Sequence, residues 1–175
     1  MPVFVLALLL AAGQTLDVRE GTLTYKVVHR LHEVQGKTKQ VEGRALVQED
    51  GSAKVQVRAK VASFDSGNSN RDAHMREATH EAAHPYATLK GTLTGLTLPL
   101  AAPLQTTLHA IVELNGEKQS VEVPVKLEPA PGGVHATFSF PISLDALKVE
   151  RPELLLVQVD DRVMIGGDLK FEAAK

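Results

Sequence analysis

From Thr22 onward the hydrophobic positions of this chain recur at every second residue. Leu23, Tyr25 and Val27 alternate with Thr22, Thr24 and Lys26, and Val55, Val57, Ala59 and Val61 alternate with Lys54, Gln56, Arg58 and Lys60. The same beat runs through Val121 to Glu128 and through Val134 to Phe140. A period of two, rather than 3.6, turns one side chain into a core and the next into water, which describes half-buried antiparallel strands. Asp50-Gly51 lies between the runs 41–48 and 53–62, and Asn115-Gly116 lies between 106–114 and 119–128. Both pairs favour tight hairpin turns, and Pro131-Gly132-Gly133 marks a third. The pattern predicts about eight strands, several of them roughly 25 to 35 Å long at about 3.3 Å per residue. Long strands meandering through hairpins predict an all-β fold: an eight-stranded antiparallel up-and-down barrel. Pro124 within an alternating run predicts an edge, a bulge or a strand end.

One segment breaks the beat. Residues 70–83 carry helical spacing, with Met75, Ala78, Thr79 and Ala82 on one face and Ser69 or Asn70 as the cap, which predicts a short helix or helical turn across a barrel end. His84 precedes Pro85 and is pushed toward an extended conformation. Composition adds little that contradicts the barrel. The chain has 175 residues, enough for one domain with a real core, and 19 basic residues against 21 acidic ones leave a net charge of −2 with both signs scattered. That balance offers no basic patch for nucleic acid. There is no cysteine, so no disulfide framework supports the fold. Five Phe and two Tyr are the only aromatic residues. Modest inward side chains on long strands leave room for a cavity inside a barrel of this size, unless the barrel flattens and closes.

The apolar run Met1 to Ala12, followed by Gly13, has the length of a secretory h-region and is too short to cross a bilayer as a helix. It is read as a signal peptide over residues 1–13, cleaved between Ala11 and Thr15, with the barrel domain over 16–175 and a periplasmic or secreted location. A buried first strand or an uncleaved anchor is the competing reading.

The densest chemistry lies between Ser63 and Met75, where Asp65, Asn68, Arg71, Asp72 and His74 crowd into one stretch. A strand protein has no folding reason to gather them there, so the stretch is an ordered functional loop or a specialised turn. Ser63, Ser66 and Ser69 near Asp65, Asp72 and His74 contain the residue types of a nucleophilic triad, but no Gly-x-Ser-x-Gly elbow accompanies them. Mutual pairing that fixes the loop is the simpler reading, and Arg71 and His74 remain suitable donors to a ligand head group. Downstream, His80-Glu81-Ala82-Ala83-His84 fits the zinc-protease pattern, in which two His on one helical face bind metal and Glu activates water. Pro85 ends any helix at the second His, and Ala87 and Lys90 stand where the longer pattern requires Gly and His. A zinc-dependent hydrolase using His80, Glu81 and His84 is therefore the secondary reading, and a stress-related structural protein with a closed barrel is the third. A non-catalytic metal site from His74, His80 and His84, with His29 or His32 as a further ligand, is outweighed by a solvated His-rich loop.

Phe64-Asp65-Ser66-Gly67-Asn68 followed by Arg71-Asp72-x-His74-Met75 resembles the signature loop of the YceI-like family of lipid- and polyisoprenoid-binding, mostly exported bacterial proteins. Val28-His29 at the end of an early strand with a glycine several residues on (Gly36 or Gly43), Pro85-Tyr86-Ala87-Thr88, Gly91-Thr92-Leu93-Thr94, Phe140-Pro141-Ile142-Ser143-Leu144 and Asp160-Asp161-Arg162-Val163-Met164-Ile165 fall in the family's order. One departure is the stretch Ala78 to His84, where the family carries aromatic residues. The resemblance implies a lipocalin-like barrel that binds, transports or sequesters an amphiphilic lipid of polyisoprenoid or isoprenoid quinone type, without catalysis and without a cofactor. It implies Phe64, Asp65, Asn68, Arg71, Asp72, His74, Met75 and His29 as the ligand-binding residues. Transient membrane contact and a homodimer are the further partners left open.

Overall fold

A computed structural model describes residues 13–29, 32–154 and 157–175. The apolar run proposed as a signal peptide lies, up to residue 12, outside the described residues. The strands are β1 (Gln14–His29), β2 (His32–Thr38), β3 (Val41–Val47), β4 (Ala53–Lys60), β5 (Tyr86–Leu93), β6 (Leu104–Leu114), β7 (Glu117–Ala130), β8 (Gly133–Ser143), β9 (Glu153–Leu154), β10 (Val157–Gln158) and β11 (Arg162–Ala173), with one helix, α1 (Ser69–Ala78).

Eight of these strands close into an antiparallel barrel. The ladder runs β1-β3-β4-β5-β6-β7-β8-β11, and β11 returns to β1 from Leu16↔Ala173 to Val27↔Val163. Closure removes the exposed edges that an open sheet would present. β2 is an addition to the expected count, and its cause is the length of β1. The first residues of β1 pair with β3 and its last ones with β2, both on the same edge. β9 and β10 form a separate small pair.

The alternation read in the sequence is the burial pattern of the strands. On β7, Val123, Val125 and Leu127 are buried while Glu122, Pro124 and Lys126 are exposed. On β4, Ala53, Val57 and Ala59 are buried between exposed Lys54, Gln56 and Lys60. Each inward Val or Leu contributes about 1.5–3 kcal/mol by leaving water, and this core stands without disulfides.

The two ends of the barrel differ. One, the Gly51 end, holds the Gln48–Ser52 turn, the segment 94–103, the Pro131–Gly132 turn, the start of β1 and the end of β11. The other, the helix end, holds α1, the Asn115–Gly116 turn and the segment between β8 and β11. At that turn Asn115 has φ 57 and Gly116 φ 72, the pair of positive values that lets a two-residue turn follow the twist of its strands.

Candidate functional site

The Gly51 half of the barrel contains a void of about 50 Å³. Leu16, Val57, Leu89, Leu108, Val125 and Phe171 are among its walls, and every lining side chain is apolar. A space of this chemistry excludes water and receives hydrocarbon, because water inside it would find no hydrogen-bond partner. Small residues make the room: Ala45, Ala53 and Ala136 all face it.

Polar groups gather at the helix end, in the loop between β4 and α1. After β4 the chain makes a 3-10 turn over Val61–Ser63, where the Ser63 hydroxyl lies 2.6 Å from the Lys60 carbonyl and 2.8 Å from the hydroxyl of buried Thr38. Lys37 and Asp65 then exchange both backbone bonds, at 3.0 and 2.9 Å, sewing the loop to β2. The Asp65 carboxylate accepts the Gly67 N–H at 2.7 Å. Asn68, rather than Ser69 or Asn70, caps the helix by accepting the Arg71 N–H at 3.0 Å, because Gly67 at φ +77 has turned the chain one residue earlier. Asp72, in the first helical turn and only 8% exposed, accepts the Ser66 hydroxyl at 2.5 Å and the Ser66 N–H at 3.2 Å. A carboxylate there also meets the positive end of the helix dipole.

Phe64, half-buried, packs on Tyr25, with ring centroids 5.7 Å apart and planes at 53°. The Tyr25 ring lies directly on Gly36 of β2, where any Cβ would collide with it. Burial raises the Tyr25 phenol above its ordinary value of 10.0, and the Asp72 charge adds to the rise, while Ser66 and Arg71 act against it. Of the eight residues expected to contact a ligand, Phe64, Asp65, Asn68, Arg71, Asp72, His74 and Met75 share this loop and helix. Arg71 and Met75 are half-buried and His74 is exposed. His29 closes β1 by its backbone opposite His32, and its side chain lies outside the described residues. The sequence points to Gly36 only as one of two glycines, with Gly43, that follow the Val28-His29 strand end, and to Tyr25 only as a strand residue. The available signal was that Tyr25 is one of two tyrosines and stands on an inward position of β1.

The helix is shorter than the 70–83 expected and stops at Ala78. Thr79 turns its hydroxyl back to the Met75 carbonyl at 2.8 Å, and the Glu81 N–H reaches the Arg76 carbonyl while His80 adopts φ 48. This is a helix-ending motif with a left-handed residue in the place usually held by glycine. His80 and His84 therefore lie beyond the helix rather than on one of its faces. Asn115 gives its amide hydrogens to the Leu147 and Lys148 carbonyls at 3.1 and 2.9 Å, so its Oδ1, 2.6 Å from His80 Nδ1, accepts a hydrogen from that ring. The His84 ring packs on Gly116. Both imidazoles are seated on the β6–β7 hairpin, and no group of three or more His, Asp or Glu side chains is disposed around a metal position among the described residues.

The model of the YceI-like domain family matches residues 14–171. Solved structures share the fold at low identity. A polyisoprenoid-binding domain from Saccharophagus degradans is 15% identical with a TM-score of 0.71, over 93% of this chain and 99% of that one. BcnA from Burkholderia cenocepacia is 18% identical with a TM-score of 0.67, over 89% and 96%. The YCEI protein of Campylobacter jejuni is 14% identical with a TM-score of 0.63, over 85% and 89%. No curated protein matches.

Proposed function

The chain belongs to the YceI-like domain family, and from that membership and its geometry we propose that it holds the apolar chain of an amphiphilic lipid inside its barrel. The lipid is of polyisoprenoid or isoprenoid quinone type, and the protein carries or sequesters it in the periplasm or outside the cell without catalysing a reaction. One observation carries this reading: the interior of a closed barrel holds a void walled entirely by aliphatic and aromatic side chains. A hydrocarbon entering it gains about 0.8 kcal/mol per buried CH₂ group. The name of the Saccharophagus domain supports the choice of lipid class.

The head group lies toward the helix end, where the half-buried Ser66 and Arg71 stand beside Tyr25 and Arg71 and His74 are suitable donors to an oxygen-rich group. The void is far smaller than the roughly 300–1,000 Å³ of a typical ligand pocket, so the side chains around it must move apart as the chain enters. Organic extraction of the purified protein, followed by mass spectrometry and read beside elemental analysis, tests the reading. One lipid per chain and no stoichiometric metal is the expected result. Stoichiometric zinc lost on the double substitution His80→Ala, His84→Ala would replace this reading with the hydrolase.

A further inference from the structure

The barrel wall is not hydrogen-bonded over its whole height. The β6–β7 ladder runs unbroken from Leu104↔Leu127 to Leu114↔Glu117, and the β8–β11 ladder from Gly133↔Glu172 to Ser143↔Arg162. Between them the β7–β8 ladder starts at Ala130↔Gly133 and stops at Val125↔Phe138. From there to the helix end, Glu117–Pro124 and Ser139–Ser143 form two edges with no ladder between them.

Proline defines both edges. Pro124 has its ladder partner Thr107 on β6, and Pro141 has Met164 on β11. Proline has no N–H, so within a paired strand its nitrogen takes the side away from the ladder, which here is the gap. Ser143 agrees: its N–H reaches across to Gln119 Oε1 on β7 at 3.0 Å, and Pro141, two residues earlier, shares that side. The sequence thus places a residue that cannot join a ladder on each side of the same seam.

Side chains close the seam instead. Gln119 accepts from the Ser143 N–H, Glu117 pairs with Lys148 at 2.8 Å, and Asn115 donates to the Leu147 and Lys148 carbonyls. At the Gly51 end backbone ties join in, Leu96 N–H to Gly51 O at 3.0 Å and Ala174 N–H to Thr15 O at 2.9 Å, beside the Thr106 hydroxyl to the Thr94 carbonyl at 3.1 Å. The seam also leads to the right place. Val125 and Phe138, the last ladder pair, are both walls of the apolar void.

We propose that the β7–β8 seam at the helix end is the entrance through which the hydrocarbon chain reaches the void, with Asn115, Glu117 and Gln119 as its clasp. This rests on the lipid-binding reading. Opening breaks side-chain contacts and no ladder bond, and it separates the two parts of the wall, which supplies the widening that the void requires.

The test uses parinaric acid, a fatty acid whose fluorescence rises in apolar surroundings, mixed rapidly with the full chain. The variant Asn115→Gly, Gln119→Ala keeps a left-handed residue in the turn and loosens the clasp. Association and dissociation are expected to quicken together, each by about tenfold, with little change in affinity. The variant Pro124→Thr, Pro141→Thr lets the ladder extend, and it is expected to slow both rates while melting no earlier than the wild type. Binding with rates unchanged in both variants overturns the entrance. If the wild type takes up no parinaric acid and yields no lipid on extraction, the lipid-binding reading falls, and amide hydrogen exchange then judges the seam alone. Fast exchange at Ser120, Glu122 and Ser139 that becomes protected in the proline variant sustains an open seam, and protection of these amides in the wild type refutes it.

Discussion

Asp72 and Tyr25 show how single residues set the character of the helix end. Asp72 is buried because Ser66 offers it both a hydroxyl and an amide hydrogen, and without it those donors are left short of partners. Asp72→Ala is expected to cost about 1–3 kcal/mol in urea unfolding. Gly36→Ala puts a methyl group into the Tyr25 ring, and the ring must leave its seat or the strands must part. A loss of about 1–3 kcal/mol is expected, together with a fall of the phenol's titration point in ultraviolet absorbance, since burial is what raises it. A well-seated ring with an unchanged titration would contradict this packing. At this scale the sequence was half legible. The crowding of Asp65, Asn68 and Asp72 announces a built loop because short-range bonds within one loop dictate it. The seat of Tyr25 on Gly36 depends on which strand β1 meets and in what register, and no local pattern encodes that.

Among the elements, α1 depends on its first turn. Asn68→Ala removes the cap and is expected to lower stability by about 1 kcal/mol, with loss of amide protection at Arg71. The segment after β8 depends on Asp161, whose carboxyl is held below its ordinary value of 3.8 chiefly by the Asp145 N–H at 2.7 Å, and also by the Ser143 hydroxyl. Because the folded value is the lower one, this stabilisation is complete above the ordinary value and is lost as the pH falls below it and through the lower, folded value. The protection of the Asp145 amide, measured against its intrinsic exchange rate, is therefore expected to fall below about pH 4, and Asp161→Asn should show the lower protection already at neutral pH. The paired strands were legible from alternation and turn residues. The helix was placed but drawn too long, because the helical spacing continues past Ala78 while the Thr79 hydroxyl and the left-handed His80 end the ladder there. The seam was glimpsed as an edge or strand end at Pro124. That Pro141 faces it across the gap is a matter of ladder register, visible only once the strands are paired.

For the whole molecule, alternation, hairpins and modest inward side chains led to a closed eight-stranded barrel, and the family match over residues 14–171 agrees. What sequence could not convey is the size of the interior, since void volume depends on how rotamers interlock across strands distant in the chain. The interior is apolar, small and bounded by a wall that is only partly laddered, which describes a container that opens to be filled. Isotope-labelled methyl spectra of the protein titrated with geranylgeraniol test that claim most directly. Leu89, Leu108, Val125 and Leu169, which line the void, should shift, saturate at one lipid per chain and show Overhauser contacts to the prenyl methyl groups. Ile111 and Val28, both 46% exposed, should stay unmoved. Shifts confined to Ile111 and Val28, with the void-lining methyl groups silent, would contradict a lipid chain inside the barrel.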